Sequence, residues 1–266
     1  MQEIEDILVD MKIADAKKFQ IYTGREKDKP VIIKVAKTFE DGIMLQQEAA
    51  KLTQISAFAK HVDNLQDETC GESARYGSLI AHLEHSFLDT ELDRRTNIIS
   101  FSDADLNKLT PLAKLYNLTD IDTRTSVWVL GKIFKFYSLF ELMAVENNTH
   151  IKQYPLFTLN DYLVGPERHN VVYYNYSGYS EDCIATNFVK AIARTIRKWI
   201  VNKLEDDDKG IKYLELVDDF ASNGRITFEL AHSDLYNLVE SLWGIEYHPF
   251  TYRNKGAIIF KTALEE

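Results

Sequence analysis

Cysteine, proline and glycine are scarce in this sequence of 266 residues, with 2 cysteines, 5 prolines and 11 glycines. Cys70 and Cys183 lie outside any Cys-x-x-Cys pair, which excludes a disulfide framework and a cysteine-based zinc site. They predict free thiols in a reducing compartment such as the cytoplasm. The few glycines and prolines, with 45% hydrophobic and 27% charged residues, exclude a collagen-like or disordered chain. An ordered globular protein is expected.

Long hydrophobic runs are missing as well. No segment approaches the roughly 18 consecutive apolar residues that a membrane-spanning helix needs. The acidic N-terminus, MQEIEDILVDMKIAD, has no long apolar core and does not resemble a signal peptide. We therefore expect a cytoplasmic protein with no membrane partner.

Basic residues are outnumbered by acidic ones, 31 to 41, and the formal net charge is −10. A negative net charge mainly supports solubility, and it disfavours binding to nucleic acid. One alternative is an acidic interaction protein that captures a basic partner or mimics nucleic acid. That alternative predicts that the acidic residues cluster on one face of the molecule.

The first part of the chain combines β-prone runs with one helical pattern. Apolar residues recur at helical spacing from Asp41 to Phe58. Residues 59–77 are polar without periodicity, and they predict a loop insertion. The β-prone runs predict strands at Met11–Ala14, Phe19–Thr23, Val31–Val35 and Thr96–Phe101.

The second part of the chain is mostly helical around one small hairpin. The turn-rich segment Gly165–His169 separates two short apolar runs, which predicts strands at Asp161–Val164 and Asn170–Tyr174. The acidic run Glu205–Asp208 is expected to be a solvated loop that continues through Gly210. Apolar periodicity predicts helices at Thr123–Glu146, Ala185–Leu204, Lys212–Ala221 and Ser233–Leu242.

This order of elements resembles the protein kinase fold, with Lys34 closing the third strand and Glu48 in the following helix. More narrowly, the chain resembles a bacterial family of protein-kinase-like proteins, some encoded next to or fused with J-domain chaperones. The matching segments include LTDIDTR leading into VWVL, the hairpin VGPERHNVV and the tail LWGIEYHPF. The resemblance implies an α+β, bilobal fold: a small antiparallel β lobe with one helix over residues 1–105, and a larger, mainly helical lobe over residues 106–266.

The resemblance also implies a vestigial nucleotide site. In active kinases a lysine paired with a glutamate contacts the α- and β-phosphates of ATP, and Lys34 and Glu48 match these two positions. The glycine-rich phosphate loop matches a segment with Ala14, Ala16 and Phe19 where three glycines are expected. Side chains there hinder the approach of backbone N–H groups to phosphates. We expect at most weak binding of ATP.

Matching the catalytic loop places the sequence Tyr-Pro-Leu at 154–156 on the kinase His-Arg-Asp. Leu156 then replaces the catalytic aspartate, and leucine cannot accept a proton. Asp161 matches the metal-binding asparagine, and Asn175 replaces the aspartate of Asp-Phe-Gly. Asp161 and Asn175 are therefore weak candidate ligands for Mg²⁺, a cation that usually requires carboxylates.

These departures predict a catalytically inactive pseudokinase that acts as a protein-binding or regulatory module, with no catalytic residue. An atypical kinase or nucleotidyl transferase with weak ATP and Mg²⁺ binding is the alternative enzyme. The expected partner is a protein rather than nucleic acid.

Overall fold

A computed structural model describes residues 2–4, 7–15, 17–26, 28–48, 50, 90–92, 98–102, 110–116, 123–146, 153–164, 171–173, 178–180 and 184–244. The expected insertion at 59–77 and the candidate ligand Asn175 lie outside these residues. The described elements form an α+β protein with a larger sheet in the first part of the chain and mostly helices in the second, as the sequence predicts.

The larger sheet has six strands in the order β1-β2-β3-β4-β6-β5, and all neighbours are antiparallel. The predicted strands form, with longer bounds for the first three than the sequence indicated. Helix α1, described over residues 39–48, follows β4. The strands are β1 Gln2–Ile4, β2 Ile7–Asp15, β3 Phe19–Glu26, β4 Lys29–Ala36, β5 Thr90–Leu92 and β6 Ile98–Ser102.

A second, three-stranded antiparallel sheet lies among the helices and has the order β7-β8-β9. Strands β8 and β9 form the predicted hairpin, pairing Tyr162 with Tyr173 and Val164 with Val171. The strands are β7 Thr110–Pro111, β8 Tyr162–Val164 and β9 Val171–Tyr173. The helices are α2 Leu112–Tyr116, α3 Thr123–Glu146, α4 Ala185–Leu204, α5 Asp208–Asn223 and α6 Phe228–Trp243.

Helix α3 occupies the centre of the helical part, because its apolar residues cover more than one face. Phe134 packs edge-on against Phe220 of α5, with ring centroids 5.4 Å apart. Tyr137 stacks on Phe228 of α6 at 4.8 Å. These aromatic pairs belong to one buried apolar cluster that also contains Phe19 of the larger sheet. The core is therefore continuous between the two parts of the molecule.

The sequence prediction started both C-terminal helices too late, and the capping residues explain the difference. The Asp207 side chain accepts a hydrogen bond from the Gly210 N–H, and the Thr227 side chain accepts one from the Leu230 N–H. Such side chains satisfy the free N–H groups of a first helical turn. The expected loop through Gly210 is therefore shorter, since α5 already begins at Asp208.

Gly224, which follows α5, is expected to tolerate no side chain. Its φ is 67°, and a Cβ there would lie 2.5 Å from the Thr186 carbonyl oxygen. Gly224→Ala should lower the free energy of unfolding by at least about 1–3 kcal/mol, the usual cost of such backbone strain. Chemical denaturation would measure the change.

Gly131→Ala is the matched control, because it lies within α3 and its added methyl would meet only Leu235, at 3.4 Å. Alanine favours a helix over glycine by about 1 kcal/mol, so this variant should be as stable as the unsubstituted protein or more so. Equal stability of the two variants would contradict the strained geometry at Gly224.

Candidate functional site

Lys34 on β4 and Glu48 on α1 form a buried ion pair. The Lys34 Nζ donates hydrogen bonds to both carboxylate oxygens of Glu48, at 2.8 and 2.9 Å. The side chains are only 1% and 0% exposed. Charge-assisted hydrogen bonds of this kind are strong, since the surroundings exclude water. The structure thus brings the two residues together, while their role in nucleotide binding stays a prediction.

Phe19, at the start of β3, lies beside this ion pair. Its ring centroid is 5.1 Å from the Lys34 Nζ, and the residue is 5% exposed. A cation at this distance from an aromatic face is attracted to the ring. Phe19 therefore does more than replace a glycine of the phosphate loop: its ring packs against the ammonium group that would have to meet a phosphate.

Asp15, at the end of β2, is an exposed acid in the same loop region. Hydrogen bonds from Lys12 and then Lys37 lower the pKa of its carboxyl group to about 2. Asp15 is therefore ionised at neutral pH, and its charge is balanced by two lysines. Lys12 and Lys37 are therefore engaged with a carboxylate, while Lys17 and Lys18 of the same turn are exposed.

Leu156 lies in a short extended segment that pairs with residues 178–180. The Leu156 N–H donates to the Gly178 carbonyl oxygen at 3.0 Å, and the Ser180 N–H donates to the Tyr154 carbonyl oxygen at 3.0 Å. A Cβ on Gly178 would lie 2.7 Å from the Leu156 Cδ1, so the leucine side chain packs against this glycine. An apolar side chain therefore occupies the position that the resemblance assigns to the catalytic base.

Asp161 ends a 3-10 turn that precedes β8, and its side chain is buried. Its Oδ2 accepts a hydrogen bond from the Thr158 Oγ1 at 2.9 Å. Within the residues that the structure describes, no group of three or more His, Cys, Asp or Glu side chains is arranged to hold a metal ion. Asn175 lies outside these residues, and binding of Mg²⁺ by Asp161 or Asn175 stays a prediction.

Tyr179 lies close enough to the ion pair for the Glu48 carboxylate to act on it. Burial raises the pKa of its hydroxyl group above the usual value, and the Glu48 carboxylate raises it further. An isolated bridge joins the backbone of Tyr179 to that of Pro155. The strand-like segment after the Asn-Tyr-Ser triplet thus places a neutral aromatic side chain close to Glu48.

A buried carboxylate that sequence reasoning missed anchors the segment that contains Tyr154. Glu141 on α3 accepts hydrogen bonds from the Tyr154 hydroxyl and from the Phe228 N–H, both at 2.9 Å. The Tyr137 hydroxyl donates to the Pro155 carbonyl oxygen at 3.0 Å. The available signal was an acidic residue inside the apolar run Phe-Glu-Leu-Met-Ala, where burial of a charge demands hydrogen-bonding partners.

Lys34 contacts both Glu48 and Phe19, so its ammonium group is buried. Of the two candidate metal ligands, the described residues include Asp161 and not Asn175. Binding of a nucleotide or of Mg²⁺ by these residues stays a prediction.

Among solved structures, the chain is similar to the structure of vaccinia related kinase 3. The TM-score is 0.55 at 10% sequence identity, and the match covers 94% of this chain and 95% of that chain. The protein therefore has a protein-kinase-like fold. Neither a protein-family model nor a curated protein matches the sequence. In the described part of the chain, no helix has the length and apolar character needed to cross a membrane.

Proposed function

We propose that this kinase-like protein is a pseudokinase that acts as a protein-binding or regulatory module. The main support is the environment of Lys34, whose side chain is 1% exposed between Glu48 and the Phe19 ring. The Phe19 ring therefore lies against the ammonium group that a phosphate would have to contact. The ion pair then serves to hold α1 against the sheet.

The catalytic-loop segment supports the same proposal. Phosphoryl transfer relies on a group that positions the nucleophile and on metal ions that neutralise the developing charge. Leu156 can neither accept a proton nor bind a metal, and its side chain packs against Gly178. The backbone pairing between 154–156 and 178–180 is kept by hydrogen bonds that require no reactive side chain.

The location and partner are part of this proposal. Two isolated cysteines favour a reducing compartment such as the cytoplasm. The resemblance to kinase-like proteins associated with J-domain chaperones supports a protein partner, and it makes a chaperone system one place to look for it.

A phosphotransfer assay with Mg²⁺ or Mn²⁺ tests the proposal. We expect no transfer from ATP to a general protein substrate or to the protein itself, and no rise in melting temperature at millimolar ATP. A ligand that binds only the folded state at 100 times its Kd would stabilise it by about 2.7 kcal/mol. Such binding would be visible as a shift of several degrees.

The control must lack Lys34 and still fold. Lys34→Met combined with Glu48→Leu removes both charges of the buried pair and retains apolar volume. Turnover by the unsubstituted protein that this double variant loses would contradict the proposal, provided that both proteins melt cooperatively.

The retained ion pair favours a second function, an atypical kinase or nucleotidyl transferase with weak ATP binding. Lys34 and Glu48 have the geometry found in active kinases, and the buried Asp161 could contribute to a cation site. This function predicts a metal-dependent rise in melting temperature with ATP. An unchanged melting temperature at millimolar ATP with Mg²⁺ would exclude it.

A further inference from the structure

Helix α4 carries basic residues and no acidic residue, in a chain whose net charge is −10. Successive residues of a helix are rotated by about 100° around its axis, and those of α4 divide into a buried apolar face and an exposed face. The basic residues are Lys190, Arg194, Arg197, Lys198 and Lys203. Acidic residues, by contrast, are concentrated in the following turn and in α5.

The exposed face of α4 forms one continuous ridge along the helix. Its exposed residues are spaced by three or four positions, which aligns them on one side. Arg194 and Lys198 occupy the middle of this ridge, and Lys190 lies half-buried beside it, one turn before Arg194. The α4 ridge consists of Asn187, Ala191, Arg194, Lys198 and Asn202.

The cations of the ridge, Arg194 and Lys198, and the adjacent Lys190 differ from Arg197 in their partners. Arg197, on the edge facing α5, forms an ion pair with Asp218, and the Arg194 Nε donates to the Ala221 carbonyl oxygen at 2.9 Å. Across the described residues, no aspartate or glutamate forms an ion pair with Lys190, Arg194 or Lys198. The nearby acid of α5, Asp219, pairs instead with Arg225 at 2.8 Å.

This arrangement works against the stability of α4. Lys190, Arg194 and Lys198 follow one another at a spacing of four, and like charges at that spacing repel each other on a helix. The charge of Arg197 on the neighbouring row is balanced by Asp218. A partner that brings negative charge to the ridge would relieve this repulsion, so charge complementarity identifies the chemistry of the partner.

We infer that the α4 ridge binds an acidic segment of a partner protein. The inference rests on the proposed function as a binding module and adds the chemistry of the partner. Lys190 and Lys198 are separated by about 12 Å along the helix axis, at 1.5 Å per residue. Two or three carboxylates on one side of a partner helix or strand can meet cations over this length. Asn187 and Asn202 can donate amide hydrogen bonds at the two ends.

Nucleic acid fits this surface less well than an acidic protein segment does. Lys190, Arg194 and Lys198 supply three positive charges, which neutralise few phosphates. Stable binding to nucleic acid usually rests on many more such contacts. The exposed acidic run Glu205–Asp208 follows α4 directly, and a phosphate backbone extending past the end of the helix would meet it. A short acidic protein segment can end before this run.

Fluorescence anisotropy with a defined probe tests the inference. The probe is a labelled, alanine-based helical peptide whose glutamates all lie on one face, and polyuridylate RNA is the competing probe. We expect the peptide to bind, and Arg194→Glu with Lys198→Glu to weaken that binding about tenfold or more, as lost or reversed charge pairs do. Lys190→Glu with Lys198→Glu should act similarly, and it leaves the hydrogen bond of Arg194 intact.

The matched control is Lys209→Glu with Lys212→Glu, which changes the net charge equally on two exposed residues of α5. This control should change peptide affinity by less than about twofold, since exposed charges beyond the contact are screened by salt. An equal loss of peptide affinity in the Arg194→Glu, Lys198→Glu variant and in this control would overturn the inference, because it would show that only the net charge attracts the peptide. Absence of peptide binding, or RNA binding that is stronger and lost in the ridge variant, would overturn it too.

The outcomes separate this inference from the proposed function. Phosphotransfer that the Lys34→Met, Glu48→Leu variant loses would contradict the pseudokinase and leave the peptide result standing. If the protein showed no phosphotransfer and the peptide also failed to bind, only the inference about the α4 ridge would be contradicted.

Discussion

Replacing Glu48 by alanine is expected to lower the free energy of unfolding by about 3–5 kcal/mol, the usual cost of breaking a buried ion pair. The Lys34 ammonium would lose the two carboxylate oxygens that it now contacts at 2.8 and 2.9 Å, at a site with 1% exposure. Attraction to the Phe19 ring cannot replace a full negative charge. Urea denaturation followed by circular dichroism measures the loss.

Removing both charges should have a much smaller effect than removing one. Lys34→Met with Glu48→Leu is expected to be within about 1 kcal/mol of the unsubstituted protein or more stable, because apolar replacements avoid the cost of burying two charges. Lys34→Met, Glu48→Leu and the double variant form a cycle with the unsubstituted protein that measures the coupling between the residues.

An exposed ion pair of the same protein provides the comparison. Asp218 pairs with Arg197 between α5 and α4, with side chains 48% and 36% exposed. Asp218→Ala should cost less than about 1 kcal/mol, since solvent screens such pairs. If Glu48→Ala cost no more than Asp218→Ala, the buried environment of Lys34 in solution would be refuted.

Replacing Glu141 by alanine is the second large expected loss, about 2–4 kcal/mol, because each buried donor left without an acceptor costs about 1–3 kcal/mol. The affected donors are the Tyr154 hydroxyl and the Phe228 N–H, both 2.9 Å from Oε1. The carboxylate also lies at the N-terminus of α6, where the helix dipole favours negative charge. Denaturation would give the size of the loss.

Two further variants separate the roles of Glu141. Tyr154→Phe removes only the hydroxyl donor and should cost about 1 kcal/mol, whereas Glu141→Gln keeps an acceptor and should be intermediate. Glu215→Ala, on the exposed side of α5, should stay within about 0.5 kcal/mol. A Glu141→Ala variant as stable as Glu215→Ala would show that the carboxylate does not anchor Tyr154 and α6.

The spacing of apolar residues was sufficient to predict an element where buried residues recur with a single period. The bounds Thr123–Glu146 and Ala185–Leu204 are confirmed, because apolar residues at helical spacing mark both helices and the second has a polar face. The hairpin is confirmed, except that Asp161 belongs to the preceding 3-10 turn rather than to β8. The predicted starts of α5 and α6 were wrong. Asp207 and Thr227 cap these helices because their own backbone is extended, and apolar spacing does not record that conformation.

The site was less predictable than the fold, since its contacts join residues far apart in the chain. Sequence reasoning selected Lys34, Glu48 and Leu156 from a resemblance, and that resemblance does not say which side chains are buried. Glu141 was missed because its partners Tyr154 and Phe228 lie 13 and 87 residues away. Only packing around α3 brings them to one carboxylate.

The amino-acid sequence by itself determined the class of fold and the apolar side chain of Leu156, because both depend on residue types and their order. The tertiary structure decided what the remaining residues do. It buried Lys34 with Glu48 beneath Phe19, and it left the cations of the α4 ridge in solvent. The physical reason is that burial and charge pairing are set by long-range contacts, which no local period or spacing records.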